Sequence, residues 1–161
     1  MRRRLSPTLI MIIALFGGAV SGCGSNKNQT TTVANKQVGA PGAVVTFVAP
    51  RPGATVGSTI TARVTLKNFK LVPYASGTQV QQGQGQLHFS MDGGKYDQPK
   101  YSGPNGVLAA KLKTNGKYSP AFQPTITYNH LPTGKHTLAV FLANKDRSNT
   151  GVNSQIRFRV K

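Results

Sequence analysis

The chain has 161 residues, with 20 lysines and arginines against 3 acidic residues, and it carries a formal charge of +17 at neutral pH. This length suits one domain of ordinary size with an extension. The single cysteine excludes an internal disulfide, and the scarcity of carboxylates excludes extensive pairing of the surface cations. The surface is therefore expected to attract polyanions and to repel cations.

The first 22 residues have the composition of an export signal. Three arginines at positions 2 to 4 precede the apolar run 9–16, which is too short to cross a bilayer as a helix of ~20 residues. An aliphatic residue, two small residues and the cysteine follow as Val20-Ser21-Gly22-Cys23. This pattern predicts cleavage and export rather than a permanent membrane helix.

The sequence Val20-Ser21-Gly22-Cys23 resembles the lipobox of bacterial lipoproteins. The resemblance implies a signal peptide over 1–22, cleavage before Cys23, a diacylglyceryl group on the Cys23 thiol and fatty acylation (palmitate) of the new amino group. Two or three acyl chains anchor a protein stably. We therefore expect a cell-envelope protein held outside the cytoplasm on the cell membrane or the outer membrane. An ordinary signal peptide with a chance cysteine is the alternative.

Residues 23–42 are rich in Ser, Asn, Thr, Gln, Gly and Ala and contain almost no large apolar side chain. Such a segment cannot bury enough apolar surface to offset the entropy lost on ordering. It is predicted to be a flexible polar linker between Cys23 and the folded part, with a first strand near Val33 as the alternative. Without the signal arginines, 17 lysines and arginines remain against 3 acids, a formal charge of +14.

The domain is predicted to span 43–161, and its first segments alternate between apolar and polar residues. The folded region begins at 44–48, and a period of two over 59–67 and 86–91 predicts half-buried strands. In the strand over 59–67, Arg63 and Lys67 fall on the outward face. In the strand over 86–91, Leu87, Phe89 and Met91 point inward and His88 points the other way.

The rest of the chain is predicted to be a long loop followed by further strands. Gly and Pro mark 92–106 as the loop, and 107–113 favours a strand over a short helix. Strands are also predicted over 125–128, 136–143 and 154–160, the second apolar on both faces and therefore central. Arg157 and Arg159 point outward from the last strand. No segment has a helical apolar stripe, so the fold class is all-β, with about seven strands and no helix.

Two motifs carry a resemblance at the level of the fold. PRPGATV at 50–56 and LPTGKHTL at 131–138, with a terminal strand, are similar to the immunoglobulin-like domains of secreted bacterial proteins. The resemblance covers residues 44 to 161 and implies an antiparallel immunoglobulin-like β-sandwich. It implies little about function, because this scaffold carries adhesion, carbohydrate-binding and spacer roles.

A narrower resemblance concerns the strand GQGQLHFSMD at 83–92. It resembles uncharacterised secreted bacterial domains with the pattern Gly-x-Gly-His-x-His-x-x-x-Asp, except that Gln86 stands in place of the first histidine. If those domains bind metal through the histidine pair, this chain has lost half of it. A metal site using His88 with His136 or Asp92 is the alternative function; otherwise His88 is a hydrogen-bonded strand residue, and no cofactor is expected.

Catalytic patterns are missing from the sequence. Asp92 and Asp97 are predicted to share a flexible loop and Asp146 another, whereas glycoside chemistry needs two carboxylates at a fixed separation. No serine has a nucleophile-elbow sequence, and no glycine-rich phosphate loop precedes a helix. The protein is therefore predicted not to be an enzyme.

A binding or structural module remains. Arg63, Lys67, Arg157 and Arg159 are the candidate contacts for anionic envelope polymers, although the two strands may belong to different sheets. Lysines that serve only solubility are the competing explanation. Glycan recognition through the tyrosines at 96, 101 and 118 is the runner-up, weakened by the absence of tryptophan. Nucleic acid is not expected as a specific partner, because the sequence shows no basic groove with aromatic residues placed for base stacking. The protein is expected to be a monomer.

Overall fold

The computed structural model describes residues 40–74 and 80–161. Its elements, in chain order, are β1 Val44–Ala49, β2 Thr55–Val56, β3 Ile60–Lys67, β4 Lys70–Leu71, β5 Gln84–Met91, a 3-10 turn Asp92–Gly94, α1 Pro99–Lys111, β6 Ser119–Ala121, β7 Thr125–Tyr128, β8 Gly134–Asn144 and β9 Asn149–Val160. The predicted signal peptide, Cys23 and nearly all of the predicted linker lie outside the described residues.

The strands form two sheets that pack as a sandwich. The smaller sheet has the order β1-β3-β7, and the larger has the order β2-β9-β8-β5-β4, with β6 also paired to β5. The main pairings are antiparallel, while the short strands β2 and β4 pair in parallel with β9 and β5. This arrangement confirms the predicted all-β, immunoglobulin-like sandwich, with β8 as a central strand.

The core lies between the inward faces of the sheets, because alternate residues of each strand point to the same side. Both sheets contribute fully or nearly fully buried side chains, among them Val45, Ile60, Val64, Leu87, Phe89, Met91, Ile126, Leu138, Val140, Leu142, Ile156, Phe158 and Val160. Burial of each large apolar side chain contributes about 1.5–3 kcal/mol. The inward positions predicted for 59–67, 86–91 and 154–160 are thereby confirmed, except that Leu66 is only half-buried.

The segment 92–113 differs from the prediction. It contains the 3-10 turn and α1, not a long loop and a strand. Helical geometry is interrupted at Ser102 and Gly103, and the buried residues of α1 are the small Ser102, Gly106 and Ala109. A Cβ at Gly106 would overlap the carbonyl group of Gln98. The helix packs through close approach of small residues, so it has no apolar stripe to be detected.

The first described residue, Ala40, packs in the core. It is fully buried, and its carbonyl oxygen accepts a hydrogen bond from the Ala43 amide at 3.1 Å. The two residues that follow, 41 and 42, are exposed. Within 40–74 and 80–161, no helix is long and apolar enough to cross a membrane.

Candidate binding surface on the larger sheet

The outer face of the larger sheet carries a cluster of three cations at one end, which we call the cationic end. Lys135 on β8 lies directly opposite Arg159 on β9, and Thr137 lies opposite Arg157. All three cationic side chains are exposed. Like charges at directly opposed positions destabilise an antiparallel pair. A bound anion between the two strands would relieve that repulsion.

Carboxylates do not neutralise these cations. The single salt bridge among the described residues joins Asp92 to His136. Asp97 is fully buried and accepts hydrogen bonds from the Tyr128 hydroxyl and the Met91 amide. Asp146 accepts hydrogen bonds from Ser148 within its own turn. All three acids therefore serve the fold, and the described lysines and arginines have no carboxylate partner.

Further along the same face is a pocket with a volume of about 340 Å³. Register places His88 opposite Phe141 and Pro120, so these residues share the outer face of the sheet. The other residues that line the pocket come from segments next to His88 and Phe141. The lining residues are His88, Ser90, Lys117, Tyr118, Phe141, Arg147 and Asn149.

An aromatic stack forms one wall of the pocket. The rings of His88 and Tyr118 lie 3.9 Å apart between centroids at an interplanar angle of 14°. His88 is only 6% exposed, and its Nε2 is buried with no hydrogen-bond partner among the described residues. Burial, and to a lesser degree the charge of Arg147, lowers the pKa of His88 to about 4. The imidazole is therefore neutral at physiological pH.

Arg147 also lines the pocket. Its guanidinium lies 4.9 Å from the ring centroid of Tyr74 and donates to the Leu112 carbonyl oxygen at 3.3 Å. Its backbone has φ of +73°, an unusual conformation for a residue other than glycine. This conformation belongs to the turn between β8 and β9, which directs the Arg147 side chain to the pocket.

Gln86 occupies the next outward position of β5. It is fully buried, and neither atom of its side-chain amide has a hydrogen-bond partner within the described residues. An unsatisfied buried polar atom costs about 1–3 kcal/mol. The hydrogen bond predicted for His88 is not found at its Nε2, which has no partner among the described residues. His88 is buried under Tyr118, whereas the sequence predicted only that it faces away from the core.

The four residues predicted to contact polyanions do not form one patch. Arg63 and Lys67 project from β3 of the smaller sheet, and Arg157 and Arg159 project from β9 of the larger sheet. Each pair is exposed, but the pairs lie on different sheets, as the sequence allowed. Only the pair on β9 has a third cation, Lys135, directly across the strand boundary.

The alternative metal site does not form, because His88 lies apart from His136, although His136 and Asp92 are in contact. His136 lies on the core side, opposite Phe158, whereas His88 lies on the outer face. The Nδ1 of His136 is 2.7 Å from Asp92 Oδ2, and its Nε2 is 2.8 Å from the Pro132 carbonyl oxygen. Both nitrogens thus face acceptors. The part of the chain that the structure describes holds no group of three His, Cys, Asp or Glu that could bind a metal.

The tyrosines predicted to bind a glycan, and the aspartates of the predicted loop, mostly make contacts within the fold. Tyr96 is buried and meets Tyr101 edge-on at 4.9 Å, so it offers no exposed ring for a glycan. The predicted flexible loop around Asp92 and Asp97 is instead ordered by their hydrogen bonds, and burial raises the pKa of Asp97. Tyr118 alone of the three tyrosines lies on the candidate surface.

Sequence reasoning did not single out Lys135, Lys117, Phe141 or Arg147 as members of one surface. Lys135 could have been found, because it stands in the same alternating pattern as Arg157 once β8 and β9 are paired as a hairpin. Lys117, Arg147 and Phe141 carry no local signal. Their meeting depends on strand pairings between distant segments.

Comparisons with known proteins give one solved structure with limited similarity. The chain is similar to the fibronectin(III)-like modules of Clostridium thermocellum CbhA, with 12% identity and a TM-score of 0.39 over 73% of this chain and 97% of that chain. No family model matches the chain. No curated protein matches it either.

Proposed function

We propose that this chain is a lipid-anchored, non-catalytic binding module of the bacterial cell envelope, and that the cationic end of its larger sheet binds anionic envelope polymers. Cys23 would carry the lipid after removal of residues 1–22, and the polar segment that follows would connect it to the sandwich. The likeness of Val20-Ser21-Gly22-Cys23 to a lipobox supports this anchoring.

The observation that carries the proposal is the opposed pair Lys135 and Arg159, with Arg157 beside it and no carboxylate near enough to form an ion pair in the described residues. An anionic polymer lying along the strands would contact all three cations and release its counterions. Such binding weakens steeply as salt concentration rises. The absence of a catalytic role is supported by the engagement of all three aspartates in bonds within the fold.

Polymer binding is tested with the full chain, using poly(glycerol phosphate) as the probe over a series of sodium chloride concentrations. We expect Arg157→Gln with Arg159→Gln to weaken binding about tenfold and to reduce the salt slope by about one for each lost phosphate contact. The matched control, Arg63→Gln with Lys67→Gln, removes the same charge from the other sheet and should have a much smaller effect. Equal loss in both double variants would contradict a located site, and salt-independent binding would contradict polyanion recognition.

The anchor is tested separately by mass spectrometry of the N-terminal peptide isolated from membranes. The expected product begins at Cys23 and carries diacylglycerol on its thiol, while Cys23→Ser should abolish both processing and lipidation. An unmodified thiol, or cleavage at another residue, would refute the anchoring.

A further inference from the structure

We propose that the pocket between His88 and Arg147 is a separate binding site for a small phosphate ester, a phosphate group on a polyhydroxyl body. This goes beyond the proposed function, because it concerns a soluble ligand and a different part of the outer face. Lys135 and Phe141 are six residues apart on β8, a distance of about 20 Å at 3.3 Å per residue.

The charge of the pocket selects an anion. Lys117 and Arg147 are among the lining residues, and no acidic residue is. In the described part of the chain, the guanidinium of Arg147 makes one hydrogen bond, to Leu112, which leaves most of its five N–H groups available. A planar guanidinium binds phosphate oxygens in pairs, and a second cation matches the double charge of a phosphate monoester.

The buried polar groups beside the pocket favour a ligand that also offers hydroxyl groups. Nε2 of His88, a lining residue, lacks a partner within residues 40–74 and 80–161, and Gln86, two residues earlier on the same strand face but outside the lining, has two unpartnered side-chain amide atoms. A neutral imidazole and a carboxamide each provide both a donor and an acceptor, which complements hydroxyl groups or the water they retain. A ligand that entered by displacing part of the His88–Tyr118 stack would satisfy atoms that are otherwise costly to bury.

The size of the pocket agrees with such a ligand. A volume of about 340 Å³ lies at the lower end of the range for small-molecule sites. Phe141 and Tyr118 provide apolar ring surface for the carbon face of a polyol or sugar, and Asn149 provides an amide at the rim. A small molecule is therefore large enough to fill the pocket without a polymer chain.

The test follows the ring signals of His88 and Tyr118 by NMR in the labelled full chain. The probes are inorganic phosphate and glycerol 3-phosphate, with sodium acetate and sodium chloride at matched ionic strength as comparators. We expect saturable shifts with both phosphates, tighter for the ester, and a raised pKa of His88 in the bound form, because an adjacent anion favours the imidazolium. A response equal to that with chloride, or one that does not saturate, would overturn the proposal.

Variants locate the site. Arg147→Gln should weaken binding of glycerol 3-phosphate by at least about tenfold, since a hydrogen bond to a charged group contributes about 1.5–3 kcal/mol. Lys145→Gln, in the same turn but outside the lining, removes the same charge and should leave affinity unchanged. If Arg147→Gln disturbs the His88–Tyr118 stack in the ligand-free protein, the affinity of Lys117→Gln is the deciding measurement. The Lys117 side chain is exposed, so it can be changed without repacking. Unchanged affinity in the deciding variant would overturn the proposal.

Discussion

The outer faces of the two sheets carry similar side chains in sequence but differ in construction. On the smaller sheet, alternate residues of β3 are exposed along the strand, including Arg63 and Lys67. These cations lie opposite uncharged residues, Lys67 facing Val44 and Arg63 facing Thr125. On the larger sheet, Lys135 faces Arg159, and the outward residues of β5 are buried or half-buried. Alternation alone therefore produces cations on both faces, but not a site.

The difference arises from what lies beside each sheet. The strand β6 pairs with β5 and brings Tyr118 onto His88, while the turn between β8 and β9 brings Arg147 to the same place. Helix α1 fixes β6 through Asn105, whose side chain donates to the Pro120 carbonyl oxygen at 2.8 Å. The smaller sheet also borders a pocket, lined by Thr125, Ile126 and Thr127 of β7 and by residues of α1, but no lysine or arginine is part of that lining.

The largest effect is expected from Gly85→Ala, which disturbs the larger sheet alone. A Cβ at Gly85 would overlap the carbonyl oxygen of Ala143, so β5 and β8 would have to separate. We expect a loss of at least about 3 kcal/mol in the free energy of unfolding, measured by urea denaturation. Gly57→Ala is the control, because a Cβ there meets no atom within 4 Å. A similar, small loss for both would show that the close approach is not needed.

Next in size is an acid-dependent loss of stability that depends on His88. Its pKa falls from 6.5 unfolded to about 4 folded, so the unfolded state binds more protons between these values. Stability is then fully present above pH 6.5 and declines as pH falls toward 4, by up to about 3 kcal/mol. His88→Phe keeps an aromatic ring against Tyr118 and should remove this decline.

Asp97 acts in the opposite direction, since its raised pKa makes its contribution decrease as pH rises above 3.8. The urea midpoint is therefore measured for the parent protein and for His88→Phe at each pH, and one is subtracted from the other. The contribution of Asp97 is the same in both proteins, so the subtraction removes it. His130→Phe, at an exposed turn position, serves as the control. An identical pH dependence of the parent and His88→Phe would show that His88 is not buried in a neutral form.

The smallest effect is expected at the cationic end. Arg159→Glu replaces a repulsive cross-strand pair with an attractive one facing Lys135, and it should raise stability by about 0.5 kcal/mol at low salt. The gain should disappear at high salt. Lys67→Glu, opposite Val44 on the smaller sheet, should give little or no gain from a cross-strand pair. Equal gains in both variants would indicate relief of general positive charge rather than of one opposed pair.

Sequence patterns predicted most of the sandwich but little of the pocket. Period-two alternation found β3, β5 and β9, because one buried face imposes a pattern that is visible within six or eight residues, and β8 was found as a run that is apolar on both faces. It failed over 92–113, where α1 buries Ser102, Gly106 and Ala109. Small residues permit close packing without apolar periodicity, so the pattern resembled a loop.

The site illustrates the same limit at longer range. Alternation identified Arg157, Arg159 and the outward direction of His88 from local sequence alone. It could not show that Tyr118 stacks on His88, that Arg147 reaches the same pocket, or that His136 is turned to the core and joined to Asp92. It left open whether Arg63 and Lys67 share a sheet with the cations of β9, and the strand order places the two pairs on different sheets.

The sequence by itself determined the charge, the strand periodicity and the chemical pattern of the predicted anchor, because each is a property of composition or of neighbouring residues. Tertiary structure decided which cations oppose each other, which histidine is paired and where a pocket forms. Those outcomes depend on the register between strands that are far apart in the chain, and a shift of one residue would turn every side chain to the other face.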